Sequence, residues 1–203
     1  MPAPKPRAPR ARTYREAASA VMWQRGFEWT RAYWQPCEFI VMVNRNGKPA
    51  QWAVPEIDRP LPRESVELLG CSGLQRDGHY AWLGWDLDVG HGVPVVLVNG
   101  ERVAPYATLD DALSDAHKLR EALSGGAEIR LSKSGNGVHV RTVFDPAEQP
   151  EKAAGIEWAK KIAADLKLKA DASPLGRQQW WLWSRRTAPR AFELIVPQAG
   201  GSA

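Results

Sequence analysis

Three Asn-Gly dipeptides, Asn46-Gly47, Asn99-Gly100 and Asn136-Gly137, each sit between two apolar runs. Asn-Gly accepts the positive φ values of a two-residue hairpin turn, so each predicts two antiparallel strands joined directly. The runs are "EFIVMVNRNGKPAQWAV", "VPVVLVNGERVAPY" and "EIRLSKSGNGVHVRTVF". Parallel neighbours need a crossover of a dozen residues or more, which these turns do not supply. Helical patterns are interleaved with the hairpins. "TLDDALSDAHKLREALSGG" has Thr108 as N-cap, Asp111 three residues on, and glycines at its end. "EKAAGIEWAKKIAADLKLK" places Ile156, Ala159, Ala163 and Leu166 on one face. A further helix is predicted over residues 13–34, interrupted at Gly26, and a short one in "PLPRESVELLG". "YAWLGWDLDV" reads as a strand, and "QQWWLWSRR" with "AFELIV" as a closing pair of strands. The pattern predicts an α+β fold with a mixed or antiparallel sheet rather than a doubly wound parallel one.

Composition sets the outer limits. A chain of 203 residues, 44% hydrophobic and 25% charged, is long enough for a normal core. It contains no apolar run long enough to span a membrane as a helix. Residues 1–12, "MPAPKPRAPRAR", are basic and Pro-rich without an apolar stretch, so they read as a disordered arm, not a secretory signal. Residues 197–203 read as a flexible tail or linker. The two cysteines, Cys37 and Cys71, fit no metal spacing, so no zinc is expected and a reducing, cytoplasmic setting is. A net charge of +4 is compatible with an anionic partner. Ten tryptophans supply core volume, or platforms on which bases stack.

Side chains alternate along a strand. In residues 80–88, Ala81, Leu83, Trp85 and Leu87 form a wholly apolar face, while Tyr80, Trp82, Gly84, Asp86 and Asp88 lie opposite. Asp86 and Asp88 are then about 7 Å apart at their Cα atoms. Two like charges at that spacing repel unless a cation lies between them, and hard divalent ions take oxygen ligands. The bland reading is a strand end running into solvent.

The hairpin "SKSGNGVHVR" carries the other chemistry. Alternation puts Arg130 and Ser132 on one face of its first strand, and His139 and Arg141 on the matching face of its second. Beside Asp86 and Asp88 in one sheet, that face suits a metal–triphosphate site, with glycines letting backbone N–H groups reach phosphate oxygens. A plain hairpin with a surface histidine is the alternative.

"WLGWDLD" followed by "LSKSGNGVHVRTVF" resembles motifs I and II of the archaeo-eukaryotic primase superfamily: an apolar strand ending in D-x-D, then a small-x-His element. "LKLKADASPLGRQQWWLWSRR" is similar to motif III of its plasmid- and phage-type primase-polymerases. The resemblance spans about residues 68–196. It implies an RRM-like catalytic sheet flanked by helices over residues 80–196, with residues 13–79 as an N-terminal α/β module packed against it. It also implies that Asp86, Asp88 and Asp171 ligate two Mg²⁺ or Mn²⁺ ions. Lys133, Ser134, Gly135, Gly137 and His139 would hold a nucleoside triphosphate, with Arg177, Arg185 and Arg186 as further phosphate contacts. Arg141, Trp181 and Trp183 would face nucleic acid. Asp145, after Phe144, is a rival third carboxylate, and "SRRTAPR" stands where the family often has Pro-Gly-x-x-Asn-x-Lys.

The expected function is thus a primase-polymerase copying single-stranded DNA in plasmid, phage or mobile-element replication, with a helicase or accessory domain as a conceivable partner and no membrane. A metal-dependent nuclease or phosphoesterase, and a non-catalytic single-strand-binding module, are the competing expectations.

Overall fold

The computed structural model describes residues 39–45, 48–54, 66–75, 77–90, 94–97, 100–124, 126–132, 134–171, 179–184, 188–191 and 193–199. In chain order the strands are β1 (Phe39–Arg45), β2 (Lys48–Val54), β3 (Val66–Ser72), β4 (Trp82–Leu87), β5 (Val95–Val96), β6 (Arg102–Val103), β7 (Glu128–Leu131), β8 (Val138–Val143), β9 (Gln179–Ser184) and β10 (Leu194–Val196). Helix α1 (Leu109–Ala122) follows β6, and helix α2 (Lys152–Asp165) follows β8.

Hairpins form where the Asn-Gly dipeptides predict them: β1 with β2, β5 with β6, and β7 with β8, all antiparallel. One four-stranded sheet runs β2-β1-β3-β9 and a second runs β10-β7-β8-β4. The fold is therefore α+β with antiparallel pairing in both sheets. Among the described residues no helix is long and apolar enough to cross a membrane. The predicted helix over residues 13–34 lies outside the described residues.

Two expectations are corrected. "VELLG" lies in strand β3, because its backbone pairs with β1 on one side and β9 on the other. Sheet pairing overrides the local stop-and-start signals read there as helix. The two closing strands also do not pair: β9 returns to the first sheet while β10 joins β7 in the second. The split β-α-β unit of an RRM-like sheet is present, since β8 lies between β4 and β7. In an RRM-like sheet the last strand lies beside the first; here it takes the opposite edge. Among the described residues β4 is an edge strand, and carbonyls on its outer side are used by loops. Asp171 N–H donates to the Asp86 carbonyl at 2.9 Å, and Tyr106 N–H to the Asp88 carbonyl at 2.9 Å.

One face of the second sheet is the main core. Leu83, Trp85, Leu87, Ile129, Val138 and Val140 pack with Ala112, Ala116 and Leu119 of α1 and Ala159 and Ala163 of α2. Thr108 caps α1 as predicted, its hydroxyl accepting from Asp111 N–H at 3.1 Å. Trp85 spans the interface between β4 and α2, its indole N–H donating to the Ala159 carbonyl at 3.0 Å. Gly155 permits the close approach of α2: a Cβ there would sit 2.9 Å from Tyr80 Cδ2 and 3.1 Å from Leu83 Cδ1. Both neighbours are fully buried and cannot swing away. Gly155→Leu is therefore expected to destabilise the protein by about 1–3 kcal/mol by overpacking, despite leucine's better helix propensity. Urea unfolding measures this, and an unchanged midpoint would contradict the packing described.

Candidate active site

The second face of the sheet carries charge, arranged in rows by strand register. Asp86 of β4 pairs with His139 of β8, which pairs with Arg130 of β7. The next row is Gly84, Arg141 and Glu128. Thus the face predicted from alternation exists, and its two rows have different surroundings.

The outer row is partly open. His139 Nε2 lies 3.4 Å from Asp86 Oδ1, with the side chains 11% and 25% exposed. Asp86 Oδ1 is itself buried and makes no hydrogen bond. Asp88, one residue beyond β4, is half-buried. Asp171 is also half-buried and is tied by its backbone to Asp86. Asp145 is exposed beyond the other end of β8, where Val143 pairs with Trp82 rather than with Asp86. Of the two rivals, Asp171 is the one the fold brings to the Asp86 end of the edge strand. Among the described residues, no three His, Cys, Asp or Glu side chains are grouped closely enough to form a complete metal cage.

The inner row is closed. Arg141 and Glu128 are each 5% exposed and form a direct ion pair. Arg130 Nε adds a second bond to Glu128 Oε1 at 2.9 Å, and the Arg141 guanidinium stacks 5.3 Å from the centroid of Trp82. Burial pushes the Glu128 carboxyl up, but Arg141 and Arg130 together outweigh it and hold the group below its ordinary value. Arg141 was expected on nucleic acid. The structure corrects this: Trp82 and Glu128 cover the guanidinium, so it neutralises an interior carboxylate instead of facing a ligand.

The glycine-rich turn also differs from expectation in its hydrogen bonding. The Gly135 N–H donates to the Ser132 carbonyl at 2.9 Å, and the Asn136 N–H donates to Ser134 Oγ at 3.2 Å. Ser134 Oγ also pairs with Ser132 Oγ at 2.9 Å. These two amides serve the turn itself rather than standing open to phosphate. Gly135 has φ of +71°, a region that favours glycine. At Gly137 a Cβ would meet Ser132 Oγ at 3.0 Å and the Leu87 carbonyl at 3.4 Å, so the missing side chain lets the turn lie close to the end of β4. Ser134 is exposed. Lys133, Arg177, Arg185 and Arg186 lie outside the described residues. The Trp181 and Trp183 backbones belong to β9 beside β3, in the first sheet.

Tyr106 is a residue that the motifs did not single out. It is 4% exposed at the edge of β4. Its hydroxyl donates to Asp115 Oδ2 at 2.7 Å and accepts the Lys169 N–H at 3.0 Å. Burial first, and then the Asp115 carboxylate, push the phenol well above its ordinary value, so it stays protonated. A lone tyrosine after "RVAP" carries no spacing signal, so only the tertiary structure reveals these bonds.

The fold and site together define an α+β domain with a carboxylate–imidazole pair at an open sheet edge. That fold is similar to the solved structure described as the polymerase domain from Mycobacterium tuberculosis Ligase D in complex with DNA. The match has a TM-score of 0.50 and 14% identity, over 86% of this chain and 75% of the other. At this identity the likeness is one of fold. No family model matches the chain, and no curated protein matches it.

Proposed function

We propose that the chain is a metal-dependent nucleotidyltransferase of the primase-polymerase type, joining nucleoside triphosphates on a single-stranded DNA template. The observation that carries this reading is the meeting of three distant segments: Asp86 beside His139 across two strands, with Asp171 bonded to the Asp86 backbone. The fold likeness to a polymerase domain supports it, since that domain is in complex with DNA.

The residues suit a hard divalent cation. A buried carboxylate oxygen without a hydrogen bond, as at Asp86 Oδ1, is costly unless another partner satisfies it. Mg²⁺ commonly takes one or two carboxylates and completes its shell with waters and substrate phosphates. A site without a complete protein cage is therefore consistent with a cation that binds a few carboxylates and fills the rest of its shell with water or phosphate oxygens. Asp86, Asp88 and Asp171 would hold Mg²⁺ or Mn²⁺, which when bound supplies charge neutralisation at the triphosphate and acidifies an attacking hydroxyl.

The chain's own groups do the positioning. His139, held by strand pairing on both sides, presents Nε2 beside Asp86. Arg130 brings a cation to the same row and is oriented by two bonds to Glu128, at 2.9 and 3.4 Å. In this reading Ser134 and His139 face the triphosphate. Lys133, Gly137, Arg177, Arg185 and Arg186 keep the nucleotide-binding roles implied by the family resemblance, Gly135 serves the turn that carries them, and Trp181 and Trp183 keep theirs toward template. Nucleotidyl transfer needs mainly such positioning and electrostatics.

The test is a labelled primer annealed to a DNA template, incubated with nucleoside triphosphates and Mg²⁺ or Mn²⁺. Template-dependent lengthening is expected, with no shortening when nucleotides are omitted. Metal-dependent shortening without nucleotides would replace the reading with a nuclease. DNA binding with neither reaction would replace it with a non-catalytic module.

A further inference from the structure

We infer that Tyr106, anchored by Asp115, is a positioning residue that docks the third carboxylate against the edge strand. The inference rests on the proposal that Asp171 ligates the cation. Residues 168–171 leave α2 without regular structure, and two of their backbone N–H groups tie them to β4 and to Tyr106. Asp171 N–H reaches the Asp86 carbonyl at 2.9 Å, and Lys169 N–H reaches the Tyr106 hydroxyl at 3.0 Å. The hydroxyl is fixed in turn by Asp115 of α1 at 2.7 Å.

The same tyrosine grips the other side of the site by its backbone. Its N–H donates to the Asp88 carbonyl at 2.9 Å, and its carbonyl accepts the Gly90 N–H at 3.0 Å. Tyr106 also forms a parallel bridge with Val89. One residue is thus bonded to the segment carrying Asp88 and to the segment carrying Asp171. Lys169 Nζ lies 5.4 Å from the centroid of its ring, a further contact to the docked segment. Among the described residues β4 is an edge strand, and on that side the Tyr106 bonds hold the segments that carry these acids. Groups that orient metal ligands in this way commonly change metal affinity by about 10–100-fold when removed.

Tyr106→Phe deletes the hydroxyl and leaves the ring and both backbone bonds. Three quantities are measured on the full chain: Mn²⁺ affinity by calorimetry with the metal alone, amide exchange at Lys169 and Asp171, and melting temperature. The variant is expected to bind Mn²⁺ about tenfold more weakly and to exchange faster at both amides. Asp115→Ala, which keeps Tyr106 intact but removes the anchor of its hydroxyl, is expected to weaken Mn²⁺ binding severalfold and covers the case of a poorly folding Phe variant. Unchanged Mn²⁺ affinity in both variants, even with a lowered melting temperature, would reduce Tyr106 to a packing residue and overturn the inference alone. A wild-type chain that binds no Mn²⁺ would overturn the cation site and the inference together.

Discussion

Asp86→Ala is expected to lower template-directed nucleotide incorporation by about a thousandfold or more, with the protein still folded. The size follows from position. Asp86 is the residue at which the three segments meet: its side chain faces His139, and its carbonyl receives Asp171. Loss of its carboxylate removes the oxygen donor that the fold buries without a hydrogen bond. Its backbone bonds in β4 and to Asp171 do not depend on the side chain, so the fold has little to lose. The carboxylate it loses faces His139 Nε2 at 3.4 Å, so a small cost in stability accompanies the much larger loss of activity. Single-turnover primer extension, read beside a melting curve, separates the two effects. A variant that keeps activity within tenfold of wild type would show that Asp86 is not at the reacting centre.

Glu128→Ala is expected to act in the opposite manner, chiefly on stability. Glu128 is the acid shared by Arg141 and Arg130, and both Glu128 and Arg141 are buried. Its removal leaves the Arg141 guanidinium inside the protein with Trp82 against it but without its carboxylate. Breaking a buried pair by deleting one partner typically costs about 3–5 kcal/mol, which for a chain of this size lowers the melting temperature by about 10 °C. The same cluster gives a pH dependence of defined sign. Glu128 titrates below its ordinary value in the folded protein because Arg141 and Arg130 overcome its burial. A depressed carboxyl stabilises the fold above its unfolded value, about pH 4.3, and that contribution is lost as pH falls through the lower folded value. Wild-type stability should therefore decline in acid below about pH 4. Glu128→Gln should start lower at neutral pH and lose less in acid. Parallel acid-limb slopes for the two proteins would contradict the assignment.

These residues mark where the sequence was legible. Alternation alone placed Asp86, His139 and Arg130 on one face, and the observed register pairs them directly. Asn-Gly dipeptides marked the hairpins because turn composition is a local property, although in the β7–β8 turn the positive φ falls at Gly135 and not at Asn136 or Gly137. Alternation assigns a face but not its depth. Arg141 lies on the predicted face, yet Trp82 and Glu128 cover it one row inward from His139. Nonlocal pairing was equally hidden: β3 is a strand because β1 and β9 flank it, and β9 and β10 part into separate sheets. The turn's glycines suggest phosphate access, whereas the observed bonds use the Gly135 and Asn136 amides internally. Tyr106 needed coordinates altogether, since its partners Asp88, Asp115 and Lys169 share no sequence pattern.

The most direct test of the cation–nucleotide site is calorimetric titration of a nucleoside triphosphate into wild type and Asp171→Ala, with and without Mn²⁺. Wild type should bind nucleotide far more tightly with Mn²⁺ present, and Asp171→Ala should lose most of that gain. Identical Mn²⁺-dependent affinities for the two proteins, or no effect of Mn²⁺ on either, would contradict a shared site built from Asp86, His139 and Asp171.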